Sequence, residues 1–362
     1  MACWRACRPA LTLLLAMMLD GCVSLDYYLQ AAGGQLEIWR KQQSIASLLA
    51  RPDLDVRLRA KLELVERARH FAAAHLALPD HGSYRSYADL QREYVVWNVF
   101  AAPELSLTPR SFCYPLLGCL DYRGFFSVAR AAAYADALRA WGDDTFVGGV
   151  AAYSTLGWLN DPVLNTVLRG EELRVVDVIF HELAHQKLYV AGDTTFNESF
   201  AMAVARAGLD RWLGENDPSR TRHAAQRARE QAFLSLVQDY RQRLAAVYSS
   251  TLADDEKRTA KAHLYAALYA DYETRKAGWG GDDAYDTWMN SDLNNAKLAS
   301  LATYHEQVDA FLGLLARCAH DFPRFYRVVA RLGALEPHTR AQCLSELGDV
   351  RAPGQACARL LD

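Results

Sequence analysis

Residues 175 to 201 read VVDVIFHELAHQKLYVAGDTTFNESFA, and the pair of histidines in it decides how the rest of the chain is understood. The run that carries them, from Glu171 to Tyr189, begins with acidic residues and contains neither glycine nor proline. That pattern predicts an amphipathic helix whose carboxylates sit at the positive end of its dipole. On such a helix His181 and His185 are one turn apart and project from one face, so both rings can reach a single ion. Glu182 lies about 100° round the helix from His181, beside that ion rather than on it. There it can take a proton from water and pass it to a leaving amine. This is the H-E-x-x-H pattern of zinc hydrolases.

A catalytic zinc of this kind needs a third protein ligand and one open position. The first helix is expected to end near Ala191 and Gly192, with Thr194 and Thr195 opening a second helix that stops at Gly208. Folded back antiparallel, that second helix brings Glu198 toward the histidines. Glu198 also completes an S/T-x-x-E capping box in TFNE (195–198), in which it would bond the backbone of Thr195. Behind an H-E-x-x-H on a helix-turn-helix of this length, the ligand assignment is preferred. Asp193 can hydrogen-bond a ligating histidine, as carboxylates often do around zinc, or cap the second helix.

HELAHQ followed by FNESFA resembles the gluzincins, the thermolysin-like and aminopeptidase-like zinc enzymes, in which a glutamate from a second helix completes the site. The resemblance implies one Zn2+ per chain on His181, His185 and Glu198, with Glu182 as general base. Twelve residues separate His185 from Glu198, a shorter connection than in the best-known gluzincins. YYLQAAGGQLEIW, CLDYRGFF, AAYSTLGWLNDPV and LNNAKLASLATYH extend the similarity over nearly the whole chain, to a family of bacterial lipoproteins described as predicted aminopeptidases. By the same resemblance, a strand before the zinc helix runs along the cleft and pairs with substrate backbone; Ala152, Tyr153, Ser154, Thr155 and Gly157 are the residues expected there. A tyrosine or histidine from downstream then stabilises the tetrahedral intermediate, with Tyr304 and His305 the first candidates and Tyr269 and Tyr272 behind them.

The surrounding chain predicts a mainly α fold with a small β-sheet. Segments 26–78 and those beyond the histidines carry apolar residues at three- and four-residue intervals. Residues 94–108, rich in β-branched and aromatic types, and 144–162 read as extended. Asn294 and Asn295 read as the cap of the helix that follows them. No linker divides the chain, so residues 22–362 are expected to form one zincin-like domain, sheet-containing at about 90–165 and helical from about 170 onward.

MACWRACRPALTLLLAMMLDGC at the N-terminus has arginines at 5 and 8 and a short apolar run, the form of a secretory signal. LDGC resembles a lipoprotein box, although Asp20 is unusual in it. Residues 1–21 are then removed and Cys22 is acylated. Val23 after the cysteine points, by resemblance to sorted lipoproteins, to the outer membrane, facing the periplasm. Disulfides are allowed in that compartment. One can close the loop between Cys113 and Cys119; among Cys318, Cys343 and Cys357 one pair and one remainder are possible.

A formal charge of -3 and the lack of a long basic run exclude a nucleic-acid partner. The expectation is therefore an envelope-anchored zinc peptidase, an aminopeptidase by the resemblance, with removal of N-terminal residues and internal cleavage both left open. The competing reading is a catalytically silent, metal-containing envelope lipoprotein that acts as a scaffold or binds a partner. An intact Glu182 speaks against it, because a structural metal gains nothing from a base.

Overall fold

The computed structural model describes residues 26–114, 118–215, 217–348 and 357–361; the signal segment and Cys22 lie outside them. The fold is mainly helical with small sheets. Helix α1 (26–41) runs into strand β1 (Gln42–Ser44), followed by α2 (Ile45–Leu49) and the long α3 (Val56–Leu76). Asp55 caps α3 by accepting from Leu58 N at 2.9 Å, and the helix closes on Ala77 in the left-handed region. Strands β2 (Ser86–Ala88), β3 (Val96–Pro103), β4 (Phe112–Tyr114), β5 (Gly118–Leu120) and β6 (Arg123–Phe125) come next. Helix α4 (Val128–Ala140) and strand β7 (Asp143–Val150) complete the extended region, with β8 (Val163–Leu164) after them.

Among the described residues these strands form three small sheets. β3 lies between β6 and β7, both antiparallel to it, with Val99 opposite Arg123 on one side and Val147 on the other. β2 pairs antiparallel with β1 and parallel with β8. β4 and β5 form a hairpin in which Cys113 stands opposite Cys119 and is bonded to it. β1 and β2 fall outside the expected sheet region, since strands of three residues are too short to show an alternating pattern.

Beyond the sheets, α5 (Asn165–Leu168) leads into the histidine helix α6 (Glu172–Lys187) and then α7 (Thr194–Leu213). α7 is buried on nearly every face, against α3, α6, α11 (Asn295–His305) and α12 (Val308–Arg317). Phe180 of α6 lies so close to Gly208 of α7 that a Cβ there would meet its ring at 2.7 Å. With Glu198 at the other end meeting His181 and His185, the two helices are antiparallel. α8 (Arg220–Ser249) and α9 (Asp254–Gly278) pack as a hairpin around a second apolar cluster that includes Phe233, Tyr240 and Tyr272. α10 (Asp286–Asn290) precedes α11, and α13 (Phe322–Gly333) and α14 (Pro337–Gly348) finish the main core beside α12. Asn294 caps α11 through Lys297 N at 3.0 Å, as expected, while Asn295 reaches the backbone carbonyls of Pro103 and Glu104. Cys343 pairs with Cys357, which leaves Cys318 buried as a free thiol.

Candidate metal centre

The site is built where the first turn of α7 meets the last turns of α6. His181 and His185 point their Nε2 atoms toward each other, 3.1 Å apart. Glu198 Oε2 completes the triangle at 3.3 Å from His181 and 3.5 Å from His185. Four ligands held tetrahedrally about 2.05 Å from a zinc ion are separated by about 3.3 Å, so these edges are those of a coordination polyhedron. Two imidazoles and a carboxylate are also the donor set that suits zinc. The geometry therefore fits a metal ion on these three residues.

The electrostatics lead to the same place. Burial pushes the Glu198 carboxyl up, but His185 beside it and the hydrogen bonds of both rings outweigh this and hold it down to about 2. Burial lowers the His185 imidazole, and the Glu198 charge overcomes that and raises it. A buried carboxylate facing two rings calls for positive charge at their centre. His185 Nδ1 is buried with no hydrogen-bond partner among the described residues. Glu182 stands on the neighbouring face, and burial raises its carboxyl above the ordinary value despite the two histidines.

What positions Glu198 differs from expectation. α6 ends at Lys187, and Leu188 is already extended, four residues before the glycine. The connection is then gripped by Asn197, whose Oδ1 accepts from Val190 N at 2.8 Å while its Nδ2 donates to Val190 O at 2.7 Å. Asp193, not Thr195, caps α7, accepting from Phe196 N at 3.0 Å; its other oxygen pairs with Arg340 at 2.5 Å. The cap role thus takes Asp193, which makes no bond to either histidine among the described residues, and it frees Glu198 from the capping box. The β4–β5 hairpin braces this turn: a Cβ on Gly118, which has φ +75°, would lie 2.5 Å from Gly192 N.

The three candidate ligands and Glu182 line a cavity of about 450 Å³. Tyr304 lines it too, with Asn98 of β3 hydrogen-bonding its hydroxyl. Tyr122 was not singled out in the sequence, and it shares the cavity. Burial, with other phenols and the site carboxylates adding to it, pushes Tyr122 well above the usual phenol range, and burial and Glu198 do the same for Tyr304, so both stay protonated donors. No spacing rule marks Tyr122; it is brought in by β3 pairing with β6.

Other expected residues fall elsewhere. His305 does not line the cavity: its Nδ1 is 3.4 Å from Arg206 Nη2, and burial pushes its ring down to about 4. Its neighbour on α11, Tyr304, lines the cavity instead, because successive helical residues face about 100° apart. Tyr272 belongs to the second cluster and bonds Asp286, while Tyr269 is exposed and bonds Asn290. The stretch 152–157 is not a strand, since β7 stops at Val150 and Leu156 and Gly157 have φ of 56° and 79°. Asp161 is the cause, accepting from Thr155 N at 2.9 Å, Thr155 Oγ1 at 2.8 Å and Ser154 Oγ at 3.4 Å. It folds the segment into a turn and takes an N–H that a substrate would need. Ala152, Tyr153 and Ser154 still line the cavity, whereas Thr155 and Gly157 do not.

A family model described as "Putative aminopeptidase" matches residues 26–344. No curated protein and no solved structure matches the chain.

Proposed function

The chain belongs to the family described as "Putative aminopeptidase", and on that footing we propose that it is a zinc-dependent peptidase of the gluzincin kind. The observation that carries this is the closure of one triangle by His181, His185 and Glu198, at separations matching zinc ligands. When bound there, zinc supplies a Lewis acid and makes water a nucleophile at neutral pH. Glu182 accepts the proton of the attacking water and returns it to the leaving amine; a carboxyl raised by burial is suited to both halves of that task. The hydroxyls of Tyr304 and Tyr122 donate to the oxyanion that develops on the scissile carbonyl.

Peptide backbone is held by the outer edge of β7 rather than by 152–157. Val150 O accepts from Val95 N on the inner side, so Val147 and Gly149, in alternation with it, turn their backbone groups outward. Acylation of Cys22 places the enzyme on the envelope membrane, and two or more acyl chains hold it there firmly.

The test is metal content and peptide cleavage, measured on wild type beside Glu198→Ala and Glu182→Gln. About one zinc per chain, lost in the first variant and kept in the second, with cleavage lost in both, supports the reading. Metal binding indifferent to Glu198 would remove it.

A further inference from the structure

Helix α1 is apolar on two sides, and only one of them is covered. Its inner side is fixed to the molecule: Ile38 is 1% exposed, Gln30 accepts from Phe126 N at 3.0 Å, and Glu37 pairs with Arg92 at 2.8 Å. Gly34 lies against the Phe126 ring, closer than a Cβ would allow. The outer side carries Tyr28, Leu29, Leu36 and Trp39, exposed by 47, 62, 41 and 48%, with Ala32 exposed between them. At 3.6 residues per turn these five fall within an arc of about 100°. Because the inner contacts hold the helix in place, it cannot roll to bury this stripe, and a patch of this kind marks an interaction surface.

We propose that the outer face of α1 lies on a phospholipid surface. The inference rests on the anchoring reading above. Cys22 precedes the helix by four residues, and an extended link of that length spans at most about 14 Å. An acylated Cys22 therefore keeps the start of α1 beside the bilayer. The stripe has the residue types that settle there, with Trp39 and Tyr28 offering a ring for the acyl boundary and a polar tip for the headgroups. Of the molecules that could cover it, the lipid surface is the one the chain is tethered to. The placement also orients the enzyme: Tyr27, Tyr28 and Ala31 line the metal cavity. The cleft then opens at the membrane surface, and the polypeptides it meets are those lying on that surface.

The full acylated chain is reconstituted into vesicles of phosphatidylethanolamine and phosphatidylglycerol, with or without brominated acyl chains. The emission of Trp39 is taken as the difference between wild type and Trp39→Phe. Expected is flotation with the vesicles and a more than twofold loss of Trp39 emission in brominated lipid. The doubly substituted Leu29→Ser/Leu36→Ser chain should float equally and lose most of that quenching, with its zinc content unchanged. A chain that floats while Trp39 stays unquenched overturns the proposal and leaves the anchoring intact. Dimers that need Leu29 and Leu36, again with Trp39 unquenched, would assign the stripe to a second copy. A chain that does not float removes the anchoring and this inference together.

Discussion

The side-chain amide of Asn197 is bonded in both directions to the backbone of Val190, donating to its carbonyl at 2.7 Å and accepting from its N–H at 2.8 Å. A strand partner would make the same pair of bonds. Here a side chain makes them, one residue before Glu198, across the connection between the two helices of the site. Asn197→Ala should cost about 1–3 kcal/mol through the unpaired groups it leaves at Val190. It should also weaken zinc binding by about tenfold or more, because the start of α7 is no longer held. Thermal melting and chelator competition measure the two effects separately; full metal affinity with lowered stability would show that Glu198 is placed without Asn197.

Glu182→Gln keeps the shape of the site and removes the base. Metal content should equal that of wild type while kcat falls by about 10²–10⁴, with a smaller change in KM. Parallel loss of metal would assign Glu182 to coordination rather than to proton transfer.

Tyr304→Phe should lower kcat by about 10²–10³ and leave zinc in place. Tyr122→Phe is its comparison, since both residues line the cavity and both are held protonated by burial. His305→Ala should leave kcat nearly unchanged if the fold is retained, because that ring meets Arg206 and not the cavity.

Asp161 gives the turn at 154–161 a dependence on pH. Burial pushes its carboxyl up to about 6, against the lowering effect of the Thr155 and Ser154 hydrogen bonds. In the unfolded chain the same group titrates near 3.9. The folded state therefore binds the proton more tightly, and this contribution to stability is fully present below about pH 4 and is lost as pH rises through 6. At about 1.4 kcal/mol per unit, the span is on the order of 3 kcal/mol. The difference in melting temperature between wild type and Asp161→Asn should shift against wild type over that interval; a constant difference from pH 4 to 7 would contradict it.

How much of this could be read in the residues follows from the range of the forces involved. His181, Glu182 and His185 were legible because helical geometry converts a spacing of four into one face, with nothing else required. Glu198 was legible only in combination, since the same residue completes a capping pattern with Thr195; in the structure the cap is Asp193, two residues before Thr195. The mainly helical class followed from long periodic segments. Tyr122 and Asn98 were not legible, because strand pairing between residues far apart in sequence brings them to the cavity. The stretch 152–157 is not the strand that the resemblance implied, because the carboxylate that bends it, Asp161, lies six residues beyond Thr155. The Cys343–Cys357 pair depends on how α14 packs, about which spacing says nothing.

α7, which carries Glu198, also buries fourteen of its twenty residues in the core. A ligand that binds the folded chain and not the unfolded one stabilises it by about 4 kcal/mol when present at a thousand times its dissociation constant. A metal held by that helix would therefore act on the whole core, not on the cleft alone. The supply of the ion in the compartment would set the survival of the chain against proteolysis as well as its turnover. A shortage would be felt first as a falling number of molecules, before any loss of rate in those that remain.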